Sequence, residues 1–101
     1  MNFRIEYHET VESEVREILD WYKEKSSSAS FNFLSQLNLT EKAIANNPLA
    51  YQIVSKLGIR RAILRKFPYK VYFSIDAPIV YILAIIHFTR SNHYVQKRLK
   101  K

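Results

Sequence analysis

The sequence contains no cysteine. Disulfide staples and cysteine-based zinc sites are excluded, and a reducing compartment such as the cytoplasm suits such a chain. Long apolar runs are also missing. The longest, Ile79 to Ile86, falls well short of the ~20 residues a helix needs to cross a bilayer, so no membrane role is expected. The opening "MNFRIEYHETVESEV" lacks a positive segment followed by an apolar stretch and a small-residue cleavage site, and no signal peptide is expected. No serine sits in a glycine-bounded elbow with a paired histidine, which argues against a nucleophilic triad. His87 and His93 lack the i, i+4 spacing and supporting carboxylates of zinc sites, so neither metal nor cofactor is expected.

Acidic residues become scarce after position 50. Residues 1–50 carry five Lys/Arg and eight Asp/Glu, a net −3, whereas residues 51–101 carry eleven Lys/Arg against Asp76 alone, a net +10. Charge of one sign gathered in one half attracts counter-charge rather than stabilising a fold. It points to a nucleic acid or an acidic protein as partner, against the plainer alternative of a solvated basic face.

What is present is enough side chain for one core. In 101 residues, 48% are apolar and 14% aromatic, which fits a single domain over residues 1–101. "FRIEY" at 3–7 alternates apolar and charged residues as a half-buried strand does. Thr10 is placed to cap a helix ending near Lys25, with Val11, Val15, Ile18, Leu19 and Tyr22 on one stripe and Glu12 and Glu14 at its positive end. "SSSAS" at 26–30 reads as a break before a second helix, whose stripe is Phe33, Leu34, Leu37 and Ile44. That helix should stop at "NNP", because Pro48 disfavours helical geometry in Asn47.

After an irregular stretch from Leu49 to Leu57, Gly58 opens three strand-like segments, "IRRAILR", "YKVYFSI" and "IVYILAIIH". Connections as short as "KFP" and "DAP" predict antiparallel hairpins. With "DAP" as a three-residue loop, Ile75 faces Ile79, Phe73 faces Tyr81, Val71 faces Leu83 and Tyr69 faces Ile85, which leaves His87 near Phe67. The last strand is apolar on both faces and should lie inside the sheet. The expected fold class is α+β: an N-terminal strand, a helical hairpin and a three-stranded antiparallel meander, with the helices on one face of an antiparallel or mixed sheet. The terminal "VQKRLKK" reads as a short helix or frayed, solvated tail.

This order of elements, with "RRAILRKFPYKVYF" turning into "IVYILAIIHFTR", resembles the RelE/ParE superfamily, the toxins of bacterial type II toxin–antitoxin modules. The "FPYKVYF" strand followed by an apolar strand ending "IIHFTR" is most similar to the ParE-like branch. The resemblance implies a small growth-arresting protein, a cognate antitoxin that neutralises it and can join it in a toxin–antitoxin hetero-oligomer, and one of two targets. ParE-like toxins inhibit DNA gyrase; RelE-like toxins cleave mRNA on the ribosome.

Metal-free RNA cleavage needs groups that activate the 2′-hydroxyl, stabilise the charged phosphorane and protonate the leaving oxygen. Relative to the mRNA-cleaving pattern, basic positions fall on Arg61 and Lys70 and the tyrosine falls on Tyr94. A second basic position falls on Ile63, and the arginine after the last strand falls on Phe88, with Arg90 two residues away. His87 is an acid–base candidate. The resemblance therefore implies Arg61, Lys70, His87, Arg90 and Tyr94 as the catalytic set of a nuclease, while the losses at Ile63 and Phe88 favour the gyrase inhibitor.

Arg60, Arg61, Arg65 and Lys66, with Tyr69 and Tyr72 nearby, could hold phosphates and stack on bases, could guard a sheet edge, or could receive an antitoxin helix. Arg90, Lys97 and Arg98 extend the basic surface into the tail. A third reading is an inactive paralogue that binds its antitoxin and, with it, operator DNA.

Overall fold

The structure, a computed structural model, describes residues 2–99. Strand β1 spans Arg4–Tyr7, helices α1 and α2 span Val11–Lys25 and Ser27–Asn46, and strands β2 to β5 span Gln52–Ile53, Arg60–Ile63, Tyr69–Asp76 and Ile79–His87. A 3-10 segment, His93–Arg98, follows. The sheet order is β1-β5-β4-β3-β2; β1 runs parallel to β5 and the remaining pairs are antiparallel. The α+β class and the interior position of β5 are as expected.

Helix α1 keeps its expected bounds, with Glu12 and Glu14 in the first turn and Lys23 and Lys25 in the last, each complementing the helix dipole. Thr10 stands at the N-cap but makes no side-chain cap, because its hydroxyl is bonded to His8 Nδ1 at 2.9 Å. The break between the helices is far shorter than "SSSAS". Ser26 alone, extended at φ −171° and ψ 151°, closes α1 through its N–H to Tyr22 and opens α2 by accepting the Ala29 N–H at 3.0 Å. Serine suits both duties because its backbone leaves the helix while its hydroxyl satisfies an orphan donor. Of the α2 stripe, Phe33, Leu37 and Ile44 are buried, whereas Leu34 is exposed beside the groove between the helices.

The predicted hairpin register is wrong by one residue near the turn and by two further along. The β4–β5 loop is the two residues Ala77 and Pro78, so Asp76 pairs with Ile79 and Ile75 with Val80. A bulge then leaves Leu83 unpaired: Phe73 pairs with Ile82, but Tyr72 pairs with Ala84, and Tyr69 with His87. Strand β3 is not a bare edge, since β2, within the stretch expected to be irregular, pairs Gln52 with Arg61 and Ile53 with Arg60.

Each face of the sheet has its own core. On one, Val11, Ile18, Phe33, Leu37 and Ile44 of the hairpin pack on Val71, Phe73, Val80, Ile82 and Ile85. Aromatic rings knit this side together, with Phe33 5.4 Å from both Phe67 and Tyr69 and 5.7 Å from Tyr22. On the other, Ile59, Tyr72, Leu83, Ala84 and Ile86 are covered by Val95 with Tyr94 and Leu99. This explains why β5 is apolar on both sides. The tail is therefore not simply solvated, although Lys100 and Lys101 lie outside the described residues.

Candidate target-binding face

Cross-strand partners share a face, so the register sorts the candidate residues. Arg61 pairs with Tyr72, and Lys70 pairs with both Ile63 and Ile86. Arg61, Ile63 and Lys70 therefore stand on the face that carries Tyr94 and Val95, the tail face. Phe88 joins them, its ring 5.4 Å from Lys70 Nζ, and the ammonium lies over the aromatic face as a cation–π contact requires.

His87 lies on the opposite face. It pairs with Tyr69, whose ring is 5.2 Å away, and it lines a cleft of about 210 Å³ with Glu14, Glu17, Trp21 and Arg90. The bulge at Leu83 sets this orientation: Leu83 and Ala84 both belong to the tail-face core, so alternation resumes with Ile85 and His87 toward α1. His87 Nδ1 accepts the Thr89 N–H at 3.2 Å, so a neutral imidazole carries its proton on Nε2. The nuclease set is thus divided, with Arg61, Lys70 and Tyr94 on one side of the sheet and His87 and Arg90 on the other.

The binding candidates divide as well. Arg65 and Lys66 are exposed in the β3–β4 turn, where Lys66 takes a left-handed φ of 69°, and Arg90 and Lys97 are exposed. Arg60 is turned inward, its Nη1 donating to the Tyr51 carbonyl at 2.6 Å. Arg98 forms an ion pair with Glu14 at 2.7 Å, the side chains being only 16% and 18% exposed, and its guanidinium lies 4.8 Å from the Tyr94 ring. These two arginines serve the fold rather than an open surface. Tyr69 and Tyr72 are buried and cannot stack on bases.

Sequence reasoning missed the apolar members of this region. Ile63 and Phe88, on the face of Arg61 and Lys70, and Leu57, close to Arg61 in sequence, are each between 44% and 57% exposed, whereas the equally exposed Ile53 pairs with Arg60 on the other face. The signal was available at Ile63 and Phe88, which the family pattern marks as replaced basic positions. Also missed was a groove of about 500 Å³ between α1, α2 and the end of β1, lined by Tyr7, His8, Glu12, Leu34 and Glu41 among others. There Tyr7 donates its hydroxyl to Glu41 Oε1 at 2.7 Å. Burial raises the Glu41 carboxyl above its ordinary range, partly offset by that bond; burial and then Glu41 itself raise the Tyr7 phenol. Among the described residues no group of three or more His, Asp or Glu is placed to hold a metal ion, and no helix is long and apolar enough to cross a membrane.

Comparison with known proteins agrees with the fold and with the strand motifs. No curated protein sequence matches the chain. Among solved structures, a chain described as the chromosomal ParDE toxin–antitoxin system from P. aeruginosa superposes with a TM-score of 0.74 at 14% identity, over 84% of this chain and 95% of that one. A family model described as ParE toxin of type II toxin-antitoxin system, parDE, matches residues 5–91. The match runs from β1 through β5 to the residues just before the 3-10 segment, and the chain belongs to the ParE toxin family of type II toxin–antitoxin systems.

Proposed function

We propose that this toxin arrests growth by binding and inhibiting DNA gyrase, and that a cognate antitoxin neutralises it in the cytoplasm. The observation that carries the choice of target is the division of the nuclease set across the sheet. Acid–base cleavage needs its groups around one phosphate, and single preorganised groups of that kind contribute roughly 3 to 4 kcal/mol of transition-state stabilisation. Here His87 faces α1 while Lys70 faces the tail side, and Ile63 and Phe88 place apolar surface where the cleaving pattern has charge.

The same region suits protein recognition. Half-exposed apolar side chains bordered by Arg61, Arg65, Lys66 and Lys70 match an amphipathic partner segment bearing acidic residues. Both the target and the antitoxin could use this chemistry, and competition between them would explain neutralisation.

Induction of the chain in bacteria, followed by a gyrase supercoiling assay and mapping of mRNA ends on ribosomes, tests the reading. The expected result is growth arrest with loss of supercoiling and no codon-spaced cuts. Codon-spaced cuts with normal supercoiling would replace gyrase by mRNA as target; absence of arrest would leave an antitoxin-binding protein without toxin activity.

A further inference from the structure

The two edges of the sheet offer a neighbour different things. Strand β2 forms one edge with two residues; β1 forms the other with four, and among the described residues no strand lies on its outer side. Successive residues of a strand turn their backbone groups to opposite sides. Arg4 and His8 donate their N–H groups to the Pro78 and Ile82 carbonyls, toward β5. Phe3, Ile5 and Tyr7 therefore turn theirs outward. The Phe3 N–H is taken by the Ala45 carbonyl at 2.9 Å, while Ile5 and Tyr7 meet no backbone partner on that side among the described residues. Beside them lies an open cleft of about 250 Å³, lined by Ile5, Asn38, Glu41, Lys42 and Ala45.

The side chains of β1 are arranged symmetrically about Ile5. Arg4 and Glu6 flank it with opposite charge, and the aromatic residues Phe3 and Tyr7 flank them in turn. Arg4 and Glu6 stand on the face of Tyr81, 3.4 Å apart within the chain. An antiparallel second copy centred on Ile5 puts Arg4 opposite Glu6 of that copy, and Glu6 opposite its Arg4. Both are pairs without backbone bonds, the kind in which side chains lie closest, so four charges alternate in sign. Ile5 faces Ile5 and exchanges two backbone bonds with it, and each Tyr7 N–H reaches the Phe3 carbonyl of the other copy. Parallel pairing in register sets like charges side by side, and an antiparallel slip of two residues sets Arg4 against Arg4 or Glu6 against Glu6. One direction and one register are thereby selected.

We propose that β1 is a self-pairing edge, through which two copies of the chain join antiparallel on a two-fold axis at Ile5. Charge on an edge strand ordinarily guards it against pairing; opposite charges placed evenly about one residue permit a single pairing and oppose the rest. The five strands of each copy become one continuous sheet. Because the axis stands perpendicular to that sheet, the two tail faces look the same way and present their basic and apolar side chains together. None of the residues assigned to target binding is used. The contact is small, so the dimer is weak and its population depends on concentration.

Sedimentation of the full chain up to about 1 mM, the range in which weak contacts still register, tests the pairing together with amide hydrogen exchange. The unaltered chain should dimerise as concentration rises, and the Ile5 and Tyr7 amides should slow with it. Arg4→Glu and Glu6→Arg should each weaken association by about tenfold or more, since two attractive pairs become two repulsive ones. An equimolar mixture of the two variants should associate again, because Glu at position 4 then meets Arg at position 6 and Glu6 meets Arg4. A chain that stays monomeric throughout leaves Arg4 and Glu6 as edge guards and overturns the proposal. So does association that leaves the Ile5 and Tyr7 amides fast, or a mixture that associates no better than either variant alone. Should Glu6→Arg fail to fold, Arg4→Glu decides: weakened association with fast Ile5 and Tyr7 amides supports the pairing, and unchanged association sinks it.

Discussion

The two faces of the sheet are built on different scales. The helix face carries two long helices, a fully buried Phe33 and a cluster of aromatic rings within 5.3 to 6.4 Å of one another. The tail face is covered by one short 3-10 segment that buries Val95, and it leaves Ile63 and Phe88 half-exposed. Stability is therefore concentrated on the helix side. The proposed recognition surface lies on the side with least packing, where apolar groups have not been used up in the core. Of the cations in the second half, Arg61 and Lys70 stand on this thinner side, and Arg65 and Lys66 are exposed in the turn beside it.

Truncation should expose the contrast. Phe33→Ala removes the ring around which Tyr22, Phe67 and Tyr69 are arranged and should cost about 3 to 5 kcal/mol, read from urea denaturation. Val95→Ala should cost only about 1 to 2 kcal/mol, because the segment over it can partly collapse. Comparable costs at the two positions would contradict the division of labour.

Alkaline pH provides a smaller perturbation confined to the helix face. Burial raises the phenols of Tyr22, Tyr51 and Tyr69, all packed in the helix-face core, above the ordinary 10.0. The folded state then keeps protons that the unfolded chain releases, so stability is fully present below about pH 10 and declines as pH rises through and beyond that value. Urea midpoints measured across this range should fall; a flat profile would count against the burial of these rings.

The smallest effect on stability should accompany the largest on binding. Ile63→Asp and Phe88→Asp alter exposed side chains and should shift stability by about 0.5 kcal/mol or less. Each should nonetheless weaken capture by the antitoxin or by gyrase, measured by pull-down and by supercoiling inhibition. Undiminished capture by both variants would move the binding surface elsewhere, with the groove beside Tyr7 and Glu41 as the next place to test.

The legible parts of the sequence were those controlled by near neighbours. Val11 to Lys25 and the stop at Pro48 follow from periodicity, charge at the ends and proline sterics, all acting within a few residues. The strands of the meander were legible for the same reason. Their register was not, because alternation is unchanged by a loop one residue shorter and contains no mark of the extra residue at Leu83. The site suffered more than the fold. Arg98 looked like one more cation in a basic tail, and nothing local connects it to Glu14, 84 positions away. Arg60 likewise gives no hint that it turns back to the Tyr51 carbonyl. The family pattern did single out Ile63 and Phe88, as departures, and both are exposed on one face.

The bulge in β5 is a choice of backbone path and not of chain length. Were the same residues to run on without it, Tyr72 would lie opposite Leu83 and every later side chain would change sides, bringing His87 round to the face of Lys70 and Arg61. Losing one residue at the bulge would instead close it and leave His87 opposite Tyr69, so the side on which the histidine stands is buffered against a single deletion at that point.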